Sequence, residues 1–128
     1  MKTFDTATLC GKLADDKKAQ DVAIIELADL TDIADYFVVV SATNERQVRS
    51  IADNVETGMK SQGFQPFSRE GYDEGRWVIL DYQSVVVHIF LENLRELYDL
   101  ESLWLEAKKY RLEKENTSSE VGYGERTT

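Results

Sequence analysis

Hydrophobic and polar positions along this chain follow two distinct periods. Residues 3–19 place Leu9, Cys10, Leu13 and Ala14 on one stripe at helical spacing. Val22 to Ala28 is instead a nearly continuous apolar run with β-branched residues, the pattern of a strand buried on both faces. Tyr36 to Ser41 repeats it, and the short link Asp29–Asp35 between the two runs predicts an antiparallel pair. Thr43 or Asn44 can cap the next helix, whose inward face carries Val48, Ile51, Ala52, Val55 and Met59 before Gly63 stops it. A strand is predicted around Gln65–Arg69. Strand, helix and strand in that order imply a right-handed crossover, so part of the sheet should be parallel.

The segment Glu70–Gly75 turns the chain into two further apolar runs, Trp77–Tyr82 and Val85–Leu91. Only Gln83-Ser84 separates them, which is hairpin spacing. Pairing across that turn sets Tyr82 opposite Val85, Asp81 opposite Val86 and Ile79 opposite His88. One face then carries Val78, Leu80, Tyr82, Val85, Val87 and Ile89, and should meet the core. The other carries Trp77, Ile79, Asp81, Val86, His88 and Phe90, the mixture expected of a covered but partly polar surface. From Glu92 the pattern is helical again, and beyond about Asn116 polar, Gly-bearing sequence predicts a loose tail. The result is a single α/β domain with a mixed sheet of about five strands flanked by helices. That domain spans residues 1–108, and residues 109–128 are read as the end of the last helix followed by the tail.

Composition narrows the functional classes. With 128 residues, 42% hydrophobic and 30% charged, the chain has globular proportions. A net charge of -9 and a pI near 4.6 argue against dedicated nucleic-acid binding and suit a basic protein partner, although solubility alone also explains them. Cys10, the single cysteine, excludes an internal disulfide and a thiolate zinc site, and its place on the helical stripe makes it a core residue. The N-terminus lacks the features of a signal or transit peptide. No stretch approaches the roughly 20 apolar residues that span a bilayer. A cytoplasmic protein is expected, with no membrane, metal or cofactor.

Candidate chemistry is sparse. Asp81 and His88 would be diagonal neighbours on the hairpin, either as a general acid–base pair or with Asp81 simply orienting a half-buried His88. The second is favoured, because no nucleophile stands at a recognisable motif spacing and no phosphate loop is present. Asp29, Asp32 and Asp35 recur every third residue, but the segment lacks calcium-loop spacing, and turn duty is expected. Leu94, Leu97, Tyr98, Leu100, Leu103 and Trp104 carry more apolar surface than one helix usually hides. Core packing explains most of it, and Tyr98 with Trp104 could also anchor a partner.

Several of these segments, in this order, are also family motifs. The chain reads W-V-I-L-D-Y-Q-S-V-V-V-H-I-F from Trp77 to Phe90 and R-E-L-Y-D-L-E-S-L-W from Arg95 to Trp104. Upstream stand A-D-Y-F-V-V-V-S-A-T-N-E-R-Q-V from Ala34 to Val48 and the pair Glu70-Gly71. Over about residues 5–108 the chain resembles the ribosomal silencing factor, or iojap-like, family. The resemblance implies a fold distantly similar to nucleotidyltransferases and a homodimer that binds ribosomal protein L fourteen on the large subunit. Bound there, the family sterically blocks small-subunit joining and represses translation under nutrient limitation, without catalysis. The residues it carries over as partner-binding are Trp77, Tyr98, Leu100 and Glu101, with Asp81 and His88 in support.

Two departures stand out. Many relatives have Gly-Asp where this chain has Gln83-Ser84, and since Gln tolerates positive φ poorly, another turn type is expected. Ala42 stands where relatives often have glycine. Nucleotidyltransferases use a Gly-Ser there with a pair of metal-binding acids, and neither is intact. The alternative reading is a metal-dependent enzyme of that type using Asp81 or the Asp29–Asp35 acids, and it requires convergent carboxylates. A dimeric scaffold for some other partner is a third.

Overall fold

The computed structural model describes residues 2–114 and 121–126. Helix α1 (Thr3–Asp15) buries Ala7, Cys10 and Ala14. Helix α2 (Glu45–Ser61) buries Val48, Ile51, Ala52, Val55 and Met59, as its spacing predicts. Its N-terminus is closed reciprocally. The Asn44 side chain accepts from the Gln47 amide at 2.8 Å, and the Gln47 side chain accepts from the Thr43 amide at 2.8 Å. At the other end Gly63 takes φ 88°, donating to the Lys60 carbonyl while the Phe64 amide donates to Met59. That pair of bonds is a Schellman closure, which needs a residue at ease in the left-handed region.

The strands are β1 (Gln20–Glu26), β2 (Tyr36–Ala42), β3 (Ser68–Glu70), β4 (Trp77–Asp81), β5 (Val85–Leu91), β6 (Lys109–Lys114) and β7 (Val121–Arg126). Among the described residues they form one mixed sheet in the order β3-β4-β5-β2-β1-β6-β7. β2 and β5 are parallel, and every other neighbouring pair is antiparallel, including the expected β1–β2 pair. Helix α2 carries the chain from β2 across β5 and β4 to β3 at the edge. The hairpin register is the expected one, with Ile79 opposite His88 and Asp81 opposite Val86. Its two faces also divide as expected. Val78, Leu80, Val85, Val87 and Ile89 are buried against α1 and α2, while Val86 and Phe90 join Phe37, Val39 and Ile25 in a second apolar layer.

Past β5 the structure departs from the predicted helix. Helix α3 (Glu92–Tyr98) ends at Asp99, which takes φ 42°, and a four-residue helix α4 (Leu100–Leu103) follows. Leu94, Leu97, Leu100 and Trp104 keep helical spacing across that break, so periodicity alone does not reveal it. Residues 109–114 form β6, not the end of a helix. There Tyr110 and Leu112 alternate with Lys109 and Arg111, and the free edge of β1 supplies the backbone partners that make this two-residue period count. Val121–Arg126 pairs with β6 where the pattern predicts a tail, and residues 116–120 and 127–128 of that expected tail lie outside the described residues.

The hairpin turn is also a correction. Gln83 does adopt positive φ, at 69°, and Ser84 does not, which excludes the type I′ turn that needs positive φ at both positions. The Asp81 carboxylate accepts from the Gln83 amide at 2.7 Å and pins the strained residue in place. A left-handed L-residue costs about 1–2 kcal/mol, part of which a glycine returns through greater freedom when unfolded. Gln83→Gly should therefore stabilise the protein by about 1 kcal/mol in chemical denaturation, with the hairpin register unchanged.

Candidate partner-binding site

The second apolar layer carries the candidate site. Trp77 enters it from the start of β4, and the preceding loop fits only because of a glycine. Gly71 has φ 82°, and a Cβ there would lie 2.0 Å from the Trp77 carbonyl oxygen. The indole stacks on Phe90 across the strand pair, with centroids 4.7 Å apart and planes at 26°. Tyr98 of α3 closes a three-ring cluster, 4.8 Å and 39° from the indole and 6.5 Å and 24° from Phe90. The indole N–H donates to His88 Nδ1 at 3.1 Å. His88 itself is buried, with the Phe37 ring edge-on at 4.6 Å.

An indole N–H can only donate, so His88 Nδ1 is the unprotonated nitrogen and the ring proton sits on Nε2. That Nε2 is buried with no hydrogen-bond partner among the described residues. Burial in this apolar layer pushes the imidazole from its ordinary 6.5 down to about 4, so it stays neutral. The segment that carries Tyr98 exposes several large apolar side chains. Tyr98 is 50% exposed, and Leu97, Leu103 and Leu105 are about 70% exposed, at 73%, 70% and 69%. Leu100 and Trp104 pack beneath them against the same layer.

Of the residues expected at the site, Trp77, His88 and Tyr98 are in one aromatic cluster, and Leu100 lies against the same layer. Glu101 lies in an ion cluster instead of the aromatic one. Its carboxylate takes the Arg95 guanidinium at 2.6 Å on one oxygen and Arg111 on the other, and Arg95 also donates to the Asp21 carbonyl and the Ser41 hydroxyl. The two guanidiniums hold Glu101 below the usual carboxylate range despite its burial. Asp81 stands apart at the turn. The expected Asp81–His88 contact is not made, because diagonal positions lie about 7–8 Å apart and each side chain has a nearer partner, Gln83 and Trp77 respectively.

Asp29, Asp32 and Asp35 lie on the β1–β2 connection, where Thr31 accepts from the Ile33 amide. Among the described residues no group of three His, Cys, Asp or Glu is placed to hold a metal ion. Nor is any helix there long and apolar enough to cross a membrane. Residue patterns missed the bracing role of Arg95, whose only signal was an arginine within an otherwise acidic and apolar helix. The exposure of Leu97, Leu103 and Leu105 was hidden by reading one continuous helix.

The fold and this surface define an α/β protein with one mixed sheet, helices over one face and a half-covered aromatic face opposite. The crystal structure of a Chromobacterium violaceum protein superposes on it with a TM-score of 0.80 at 29% identity, covering 95% of each chain. The family model described as "Ribosomal silencing factor during starvation" matches residues 1–127, and the chain belongs to that family, which is not a class of enzymes. The ribosomal silencing factor RsfS of Halalkalibacterium halodurans is 35% identical over 113 residues, 88% of this chain and 97% of that one. The mouse protein named "Mitochondrial assembly of ribosomal large subunit protein 1" is 30% identical over 104 residues, 79% of this chain and 45% of that one.

Two measurements test the local energetics. His88 is neutral when folded, whereas the unfolded chain binds a proton below about pH 6.5, so stability is full above that pH and falls as the pH drops toward 4. The loss should reach about 3 kcal/mol in denaturant titrations at stepped pH, and His88→Asn should remove that component. Glu101→Ala leaves two arginines without their carboxylate and should cost about 1–3 kcal/mol by the same assay.

Proposed function

We propose that this protein is a translation repressor that docks on the large ribosomal subunit through ribosomal protein L fourteen and sterically blocks small-subunit joining under nutrient limitation. The observation that carries the reading is the aromatic ledge, a cluster of Trp77, Phe90 and a half-exposed Tyr98, with exposed Leu97, Leu103 and Leu105 on the same stretch of chain as Tyr98. Large aromatics in such a setting are the usual anchors of a protein interface. Exposed Glu92, Glu96, Asp99 and Glu106 stand on the same stretch of chain as Tyr98, and the chain's net charge of -9 favours a basic ribosomal protein as partner. The names of the relatives point the same way, toward the ribosome and its large subunit. In this reading Tyr98 and the edge of Trp77 touch the partner, with Leu100 beneath them. Glu101, His88 and Asp81 hold the elements that present them. The protein acts in the cytoplasm as a homodimer, and a steric block needs no cofactor or active site.

Co-sedimentation with purified large subunits is the test, with small subunits and assembled ribosomes as controls. Pelleting with large subunits and a reduced rate of subunit joining are expected, and no pelleting at low salt would overturn the reading. Tyr98→Ala should weaken binding about tenfold or more with little change in unfolding midpoint, as expected of a half-exposed anchor. Trp77→Ala should weaken it as well, but at a cost of about 2–3 kcal/mol in stability, since its indole is stacked and hydrogen-bonded.

A further inference from the structure

His88 is an expensive residue where it stands. It is 6% exposed inside an apolar layer, and one ring nitrogen is buried without a partner among the described residues. An unmatched buried donor costs about 1–3 kcal/mol, so a leucine or phenylalanine would suit the layer better on packing grounds alone. What the imidazole supplies, and an apolar side chain cannot, is an acceptor for the Trp77 indole at 3.1 Å.

That acceptor settles a choice that stacking leaves open. Contacts with Phe90 at 4.7 Å and Tyr98 at 4.8 Å fix the plane of the indole. They do not fix which edge of it faces inward, because the outer torsion of a tryptophan is broad and roughly two-fold. Only the N–H edge can be drawn to His88 Nδ1, so this bond selects which of the two edges faces inward. Tyr98 packs on that oriented ring at 4.8 Å and more loosely on Phe90 at 6.5 Å, and is the half-exposed member of the cluster.

We propose that His88 is a positioning residue: it does not contact the partner, but sets the orientation of Trp77 and, through the stack, the placement of Tyr98 at the docking surface. The part concerning Trp77 stands on the geometry alone, and the part concerning docking rests on the function proposed above.

Three variants of the full chain separate the possibilities. His88→Asn places a carbonyl oxygen near the Nδ1 position and keeps the acceptor. His88→Leu and His88→Phe both remove it, and the phenylalanine keeps a ring in the slot should the leucine variant fold poorly. The first readout is the indole N–H resonance of Trp77, told apart from that of Trp104 by Trp104→Phe. Its exchange with solvent should quicken about tenfold in the acceptor-free variants and stay near wild type in His88→Asn. The second readout is pelleting with large subunits, where the acceptor-free variants should lose about tenfold in affinity without a lower unfolding midpoint, and His88→Asn should be rescued. Unchanged indole exchange in the Leu and Phe variants overturns the proposal. Altered exchange with undiminished subunit binding overturns the link to the surface. If wild type itself does not pellet while the indole responds as expected, the docking function falls and the positioning of Trp77 stands.

Discussion

The parallel pairing of β2 with β5 is the constraint around which the molecule is arranged. Seven residues of each strand align, from Tyr36 beside Val85 to Ala42 beside Leu91, and nearly all are buried. Parallel neighbours cannot be joined by a tight turn, so the chain must leave the sheet after Ala42 and return some forty residues later. Helix α2 occupies that excursion and seals one face. The chain re-enters at β3 on the far edge and steps back by antiparallel pairing until β5 lies against β2. Trp77 stands beside Phe90, and His88 beside Phe37, because of that return path.

Where local spacing determines structure, residue patterns were sufficient. The two-residue separation at Gln83-Ser84 gave the correct register, and with it the face on which Trp77, His88 and Phe90 lie together. The apolar stripe of α2 and its Asn44 cap were equally readable. The pattern failed where a distant partner decides the outcome. Lys109–Lys114 could have extended a helix, and the open edge of β1 makes it a strand instead. The break at Asp99 leaves helical spacing intact on either side, so nothing periodic marks it. At the site itself, the pairing of Asp81 with His88 was a reasonable inference from the ladder. Side-chain reach overruled it, because a short carboxylate takes the adjacent Gln83 amide before a ring two residues along the neighbouring strand.

The two faces of the sheet differ in how firmly they are covered. Helices α1 and α2 have 13 and 17 residues, whereas α3 and α4 have 7 and 4. Helices as short as the latter pair have no independent stability in water. They stay in place through Leu94, Leu100 and Trp104 underneath and through the Arg95–Glu101–Arg111 cluster, which ties α3 and α4 to β6 and to the ends of β1 and β2. The proposed docking surface is therefore carried by the least self-sufficient elements of the described fold. A region of that kind opens locally at lower free energy than the sheet beneath it, and contact with a partner would firm it.

This unequal covering also gives the molecule a thin side and a thick side. A protein that settles by its aromatic face turns α1 and α2 away from the surface it rests on. A helix with its side chains is about 10–12 Å across, so the outward layer raises a ridge of roughly that height above the sheet. Under the function proposed above, obstruction would then come from bulk that touches neither the binding partner nor the approaching body in any specific way. Side chains on the outer surface of that ridge can vary freely in chemistry, provided the ridge keeps its height.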